Sequence, residues 1–312
     1  MASSVKDTGN SVLDFFRTDQ EVKRGTLSWD DHISFEADNA HELSFGELSS
    51  VPGLDRQGEL ELDLPPRPKP LEGALTCKIQ QVADLLSSWL GVFNPEAWRP
   101  SHGPGAVSDQ PYSDYKYEFK NWSDRLESVF PYSDFTKVNY LQDMQDSVYM
   151  DSVKWNEVPP ARLHAVPKTL TTPRLIAAEP VSNQWVQQVI KDYMYTRVRE
   201  TPIGSLITFH DQEPNGRLAL EASRDGSHST IDLSSASDLV SCWHVERLFG
   251  RLPCLLRALQ ASRSVWIRQD ICKYSPKYYY LRKYSTMGNA TTFPVQSLFF
   301  LAIGLGVFAY ER

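Results

Sequence analysis

The stretch HSTIDLSSASDLVSCWHVERLF, His228 to Phe249, constrains the chain more than any other. It sets Asp232 at the end of a β-prone pair, Thr230 and Ile231, and Asp238 six positions on, with only Leu, Ser and Ala between them. A strand that ends in an acid and passes through a tight Ser-rich turn into a helix exposes that carboxylate at the strand's carboxyl edge, where a hard cation is bound through oxygen. The helix is predicted from Leu239, Trp243 and either Val240 or Phe249 on one apolar stripe. Asp238 then falls in its first turn. Ser235-Ala-Ser-Asp238 has the form of a capping box, and an acid there suits the helix dipole. Asp238 is thus open both to capping and to contact with a ligand.

A second constellation is YSTMGNATTFPVQSLFF, Tyr284 to Phe300. Gly288-Asn289 breaks a Tyr-rich strand, and Thr and Pro then open an apolar helix. The amides of Ser285 to Asn289 therefore lie near a helix N-terminus, which attracts phosphate. Asn289 has the groups to bond a sugar hydroxyl, or to cap the helix. Upstream, PPARLHAVPKTLTTPRLIAAEP, Pro159 to Pro180, reads as β-prone pieces around a Thr-rich turn flanked by Lys168 and Arg174: a hairpin or exposed loop with cations at its tip. Between Arg251 and Lys283, eight cations, among them Arg263, Arg268, Lys273 and Lys277, face one acid, Asp270, and are interleaved with Trp266 and several tyrosines. Cations beside rings that stack on bases suit single-stranded nucleic acid. A solvated helix face followed by a Tyr-rich strand is the structural alternative.

The chain's 312 residues suffice for about two domains. The net charge of −7 is concentrated in residues 1–70, which hold 14 acids against 7 bases and close on the Pro-rich LPPRPKP; the remainder is balanced. Two amphipathic helices are expected, one through IQQVADLLSSWLGVF and one through SNQWVQQVIKDYMYTRVRE, the latter capped by Ser182 or Asn183 with Trp185, Val189 and Tyr193 on one face. Four scattered cysteines form no zinc-ligand spacing and read as reduced cytosolic thiols. The apolar run from Leu298 to Tyr310 falls short of the roughly 18 residues of a membrane span and reads as a buried helix.

In the order HGPGAVSD (102–109), VPKTLTTPRLIAAEP (166–180), HDQEPNGRLALEAS (210–223), TIDLSSASD (230–238) and STMGNATTFPVQSL (285–298), these segments resemble the RNA-directed RNA polymerase subunit, or replicase, of single-stranded RNA bacteriophages of the levivirus type. The resemblance spans about two-thirds of the chain. It implies an α+β right-hand polymerase fold, with an acidic N-terminal segment over 1–70, fingers over 71–225 and a palm of antiparallel sheet and flanking helices from 226. It implies that Asp232 binds catalytic Mg2+, two ions in the complete enzyme with Mn2+ as a substitute, and that Asp238 lies where the ribose 2′-hydroxyl is recognised. Lys168 and Arg174 would neutralise the triphosphate, and Ser285, Gly288 and Asn289 would line the ribose and template-base pocket. Arg263, Arg268, Lys273 and Lys277 are the expected RNA contacts. The implied partners are a single-stranded RNA template, ribonucleoside triphosphates and host elongation factors Tu and Ts, with no membrane, in the cytoplasm of the bacterial host. The family's Gly-Asp-Asp hairpin does not occur in the 312 residues. The expectation is therefore an amino-terminal part of a replicase, with an incomplete palm and no thumb, inactive on its own. A non-catalytic single-stranded RNA-binding protein is the alternative.

Overall fold

The computed structural model describes residues 73–110, 116–136, 153–155, 158–168, 173–211, 213–227, 229, 231, 233, 236–274 and 276–312. The acidic segment 1–70, the Thr-rich tip 169–172 and Asp232 lie outside the described residues.

Helix α1 (Ala74–Leu90) buries Ala83, Leu86, Ser87 and Leu90, the three- and four-residue spacing of one helical face. It ends at Gly91, whose φ of 78° is open to glycine at little cost. Its last carbonyls are satisfied by a distant helix: Arg197 Nε donates to the Leu90 carbonyl at 2.6 Å and the Tyr193 hydroxyl to that of Gly91 at 2.7 Å. Short helices α2 (Asp124–Glu127) and α3 (Tyr132–Phe135) follow.

A hairpin comes next. Strand β1 (Ala161–Pro167) pairs antiparallel with β2 (Pro173–Ala178), with Val166 opposite Arg174 and Pro167 opposite Pro173. This is the hairpin expected from the proline-broken pattern. Helix α4 (Val181–Glu200) is then buried at every residue from Val181 to Ile190, so it is a central helix and not the one-faced element expected. Neither Ser182 nor Asn183 caps it. The Val181 amide donates instead to Asp109 Oδ1 at 2.9 Å, which places a carboxylate from HGPGAVSD at the positive end of the helix.

Helix α5 (Glu213–Asp225) buries no residue. Helices α6 (Cys242–Phe249) and α7 (Pro253–Ser262) lead to β3 (Trp266–Arg268), β4 (Tyr278–Tyr280) and helix α8 (Thr292–Glu311). The sheet order is β2-β1-β3-β4, with β1 and β3 parallel and the outer pairs antiparallel. It is thus mixed where an antiparallel sheet was expected, because β1 and β3 are joined by the long helical excursion that a parallel pair requires. Two strands come from each side of residue 226.

One apolar core joins α1, α4, α6, α7 and α8 through Leu86, Leu90, Val189, Tyr193, Phe249, Leu259 and Leu298. Helix α8 crosses α1 where Gly306 meets Ile79, and a Cβ at Gly306 would lie 2.6 Å from Ile79 Cγ1. At 20 residues and mean hydropathy 1.8, α8 is long and apolar enough to cross a membrane by length and composition. It exceeds the thirteen-residue run read from sequence, and Val295, Leu298, Ala302 and Gly306 turn one side of it into the core.

Candidate nucleotide-binding cleft

Among the described residues, a cleft of about 720 Å³ opens between the β1–β2 hairpin and the start of α8. Lys168 and Arg174 line it from the hairpin; Ala236 and Ser237 from the Ser-rich segment; Met287, Gly288 and Asn289 from the turn before α8. Four residues singled out in the sequence, Lys168, Arg174, Gly288 and Asn289, therefore share one cavity. Lys168 and Arg174 are exposed.

The turn is docked on the hairpin by main chain. The Ala177 amide of β2 donates to the Met287 carbonyl at 2.7 Å. At Gly288, φ is 121° and a Cβ would fall 1.9 Å from the Ala177 carbonyl oxygen. No side chain fits that approach, so glycine is required there by space as well as by conformation. Asn289 borders the cleft, yet only 6% of it is exposed. Its Oδ1 accepts from the Thr291 amide at 2.8 Å and the Thr291 hydroxyl at 2.7 Å, so the amide organises the turn. Ser285 is buried beneath, bonded to the Thr292 hydroxyl at 2.7 Å, and does not line the cavity.

Behind this turn lies an acid that sequence reasoning passed over. Glu179 is buried and takes hydrogen bonds from neutral side chains, Ser264 foremost, with Asn183, Gln187 and Asn289 around it. Burial pushes its carboxyl above the ordinary range, and those hydrogen bonds oppose the shift. A lone acid at the end of the apolar run LIAA was the available signal.

The Asp238 segment departs from expectation. Among the described residues no strand precedes it: Ile231 and Leu233 lie outside any strand, and Ile231 is 83% exposed. Asp238 sits in a 3-10 turn, Ser237–Leu239, and helix α6 begins only at Cys242. The capping box is Ser241 with His244, where Ser241 Oγ accepts the His244 amide and His244 Nδ1 accepts the Ser241 amide, both at 3.2 Å. Burial lowers the His244 imidazole, consistent with a neutral ring accepting at Nδ1. Freed from capping, Asp238 Oδ1 accepts from Lys283 Nζ at 2.9 Å, and the Lys283 side chain is fully buried. Sequence placed Lys283 only in the basic stretch; its position two residues before Ser285 was the clue.

That basic stretch divides. Arg263 was expected to contact RNA, but it is buried and donates to the carbonyls of Tyr284, Leu281 and Lys283 at 2.9 to 3.0 Å. It staples the strand that feeds the Ser285–Asn289 turn. Arg268 pairs with Asp270 at 3.1 Å. Lys273 is exposed, Lys277 Nζ lies 6.0 Å from the Tyr278 ring, and Tyr274 is almost wholly exposed. The reading of stackable rings thus holds for Tyr274 and not for Trp266 or Tyr278, which are buried.

No three His, Cys, Asp or Glu side chains come together to hold a metal among the described residues. The carboxylate nearest the cleft, Asp238, is committed to Lys283. The described residues therefore do not by themselves form a magnesium site.

A cleft with cations on a hairpin, a glycine-tight turn before a helix and an acid in a Ser-rich turn is an arrangement suited to a nucleotide. A family model described as RNA replicase, beta-chain, matches residues 81–309, and the chain belongs to that family. Among its relatives, the RNA-directed RNA polymerase beta chain of Enterobacteria phage fr is 34% identical over 157 residues, 50% of this chain and 27% of the relative. Those of Enterobacteria phage GA and Escherichia phage MS2 are each 33% identical, over 170 and 164 residues, or 54% and 50% of this chain and 29% and 26% of the relatives. The matched part of the chain thus spans less than a third of the length of these relatives.

Proposed function

We propose that this chain supplies the nucleotide-entry and sugar-reading parts of a template-directed RNA polymerase, with the β1–β2 hairpin as part of the fingers and the segment from 226 as part of the palm. The observation that carries this reading is the meeting of Lys168, Arg174, Gly288 and Asn289 in one cleft beside Asp238. In this reading Lys168 and Arg174 face the triphosphate, where exposed cations offset its charge without prior desolvation. The docked Met287–Asn289 turn shapes the floor, and Asp238 accepts from the ribose 2′-hydroxyl, the group that separates RNA from DNA. Bond formation joins the 3′-oxygen of the growing strand to the α-phosphorus, breaks the bond to the β-phosphate and releases pyrophosphate, with the hydroxyl proton passing to solvent. Asp232 is the carboxylate we assign to Mg2+, which when bound would activate that 3′-oxygen and steady the leaving group. Positioning and charge do the rest.

The RNA template would run past Lys273, Tyr274 and Lys277, through phosphate contacts and stacking. The test is ATP binding by titration calorimetry to wild type and to Lys168→Ala/Arg174→Ala. The double variant should lose on the order of tenfold in affinity, about 1.4 kcal/mol, while adenosine affinity stays constant. Equal losses for ATP and adenosine would remove the triphosphate assignment.

A further inference from the structure

Burying a lysine ammonium costs several kcal/mol unless a charge partner meets it, and the Lys283 side chain has no exposed surface. Its partner is the less buried of the two: Asp238 keeps 17% of its side chain exposed and follows Ser237, which lines the cleft. The ammonium thus reaches the carboxylate from inside the protein, and the carboxylate emerges on the cleft side.

Both ends of the contact are fixed by main chain. The Lys283 carbonyl accepts from Arg263 Nη2 at 2.9 Å, Lys283 bridges antiparallel to Ser241, and the Tyr284 amide donates to the Val240 carbonyl at 2.8 Å. The clip ties the turn that bears Asp238 to the strand that leads into Ser285–Asn289. Two plainer roles for the pair are weakened. Helix α6 is capped by Ser241 and His244, so Asp238 has no capping duty. A buried ion pair also adds little net stability over apolar residues of the same volume, so stability alone does not account for it.

We propose that Lys283 is a positioning residue for sugar recognition. It holds Asp238 by Oδ1 and leaves Oδ2, which makes no hydrogen bond to any described residue, turned to accept from a ribose 2′-hydroxyl. The proposal rests on the reading of the cleft as a ribonucleotide site, and the two fail in different ways.

The experiment compares ATP with 2′-deoxyATP by titration calorimetry on the whole chain: wild type, Asp238→Asn, Lys283→Met, Lys283→Gln and the double variant Asp238→Asn/Lys283→Met. Loss of a hydrogen bond to a charged acceptor should cut the ATP-over-deoxyATP preference on the order of tenfold. The same loss is expected in Asp238→Asn, in Lys283→Met and in Lys283→Gln, whose amide is one bond short of Asp238, with no further loss in the double variant. The ratio is the informative readout, because loosening of the fold lowers both affinities together. If wild type shows no preference, or Asp238→Asn keeps it, the sugar-reading assignment fails and the proposal with it. If Asp238→Asn loses the preference while a folded Lys283→Met or Lys283→Gln keeps it, the proposal alone is overturned. Should neither single variant fold, the double variant, which leaves no unpaired charge, must match Asp238→Asn; any difference between their ratios overturns action through Asp238.

Discussion

The two walls of the cleft are built on opposite physical terms. On the hairpin side, Lys168 and Arg174 are exposed cations that meet no acid in an ion pair among the described residues. On the other, nearly every polar group is already engaged: Lys283 with Asp238, Asn289 with Thr291, Tyr284 with Thr291, Ser285 with Thr292, and Arg263 with three carbonyls. A solvated charge screens long-range interactions and adapts to a ligand. A buried network fixes geometry, and each of its members is costly to remove. Substitutions on the hairpin wall should therefore change binding with little change in stability, and substitutions on the turn wall should do the reverse.

The largest break in that contrast is expected at Gly288. An alanine there must relieve a 1.9 Å contact with the Ala177 carbonyl at a φ of 121°, so the turn has to leave β2. Destabilisation of at least about 3 kcal/mol follows, read as the shift in a urea unfolding midpoint. Arg174→Ala should move the same midpoint by about 0.5 kcal/mol or less, the usual scale for an exposed site. Comparable shifts for the two would dissolve the distinction between the walls.

Arg263 and Arg268 sharpen it within five residues of chain. Arg263→Met leaves the carbonyls of Leu281, Lys283 and Tyr284 without their donor, a loss of about 2 to 3 kcal/mol. Arg268→Met breaks only the half-exposed pair with Asp270, about 0.5 kcal/mol. An Arg263→Met protein as stable as wild type would show that the staple contributes nothing.

These two arginines also show what was legible beforehand. Composition and spacing cannot tell them apart: both are cations among tyrosines. The turn chemistry of Lys168 to Arg174 and the Gly288-Asn289 break were readable, because proline, glycine and short β-prone runs act locally. Asp109 at the start of α4, Arg197 at the end of α1, and Ser264 on Glu179 were not, because each cap or partner lies more than 70 residues away in sequence. The capping box was misplaced for a local reason. Ser235-x-x-Asp238 and Ser241-x-x-His244 compete at six residues' separation, and Val240 and Ser241 are drawn out of the helix by pairing with Lys283 and Tyr284.

Glu246 gives the turn wall a pH signature. It is buried with Oε1 accepting from Gln260 at 3.2 Å, and burial raises its carboxyl from 4.5 to about 7. The folded state holds this proton more tightly than the unfolded chain does. Its contribution is therefore fully present below about pH 4.5 and is lost as pH rises through 7. Glu246→Gln keeps an acceptor for Gln260 and removes the titration. Relative to wild type it should gain about 2 kcal/mol between pH 5 and pH 8, measured as the difference in unfolding free energy at the two pH values. A constant difference across that range would exclude Glu246 as the titrating group.

The smallest effect is expected far from the cleft, at Lys273 and Lys277. Both flank Tyr274, whose ring is almost wholly exposed, and neither is engaged in an ion pair among the described residues. Their proposed part is contact with phosphates of single-stranded RNA, and such contacts release condensed counterions. Removing two of them lowers the slope of log affinity against log salt by about 1.4 on a single strand. Lys273→Ala/Lys277→Ala should therefore bind a single-stranded oligonucleotide with a shallower salt dependence, with an unfolding midpoint like that of wild type. Tyr274→Ala should weaken binding by about 1 to 3 kcal/mol, the scale of one base–aromatic stack, and leave the salt slope alone, because the ring carries no charge. Fluorescence anisotropy across a salt series separates the two. An unchanged slope in the lysine variant would move the RNA path elsewhere on the molecule.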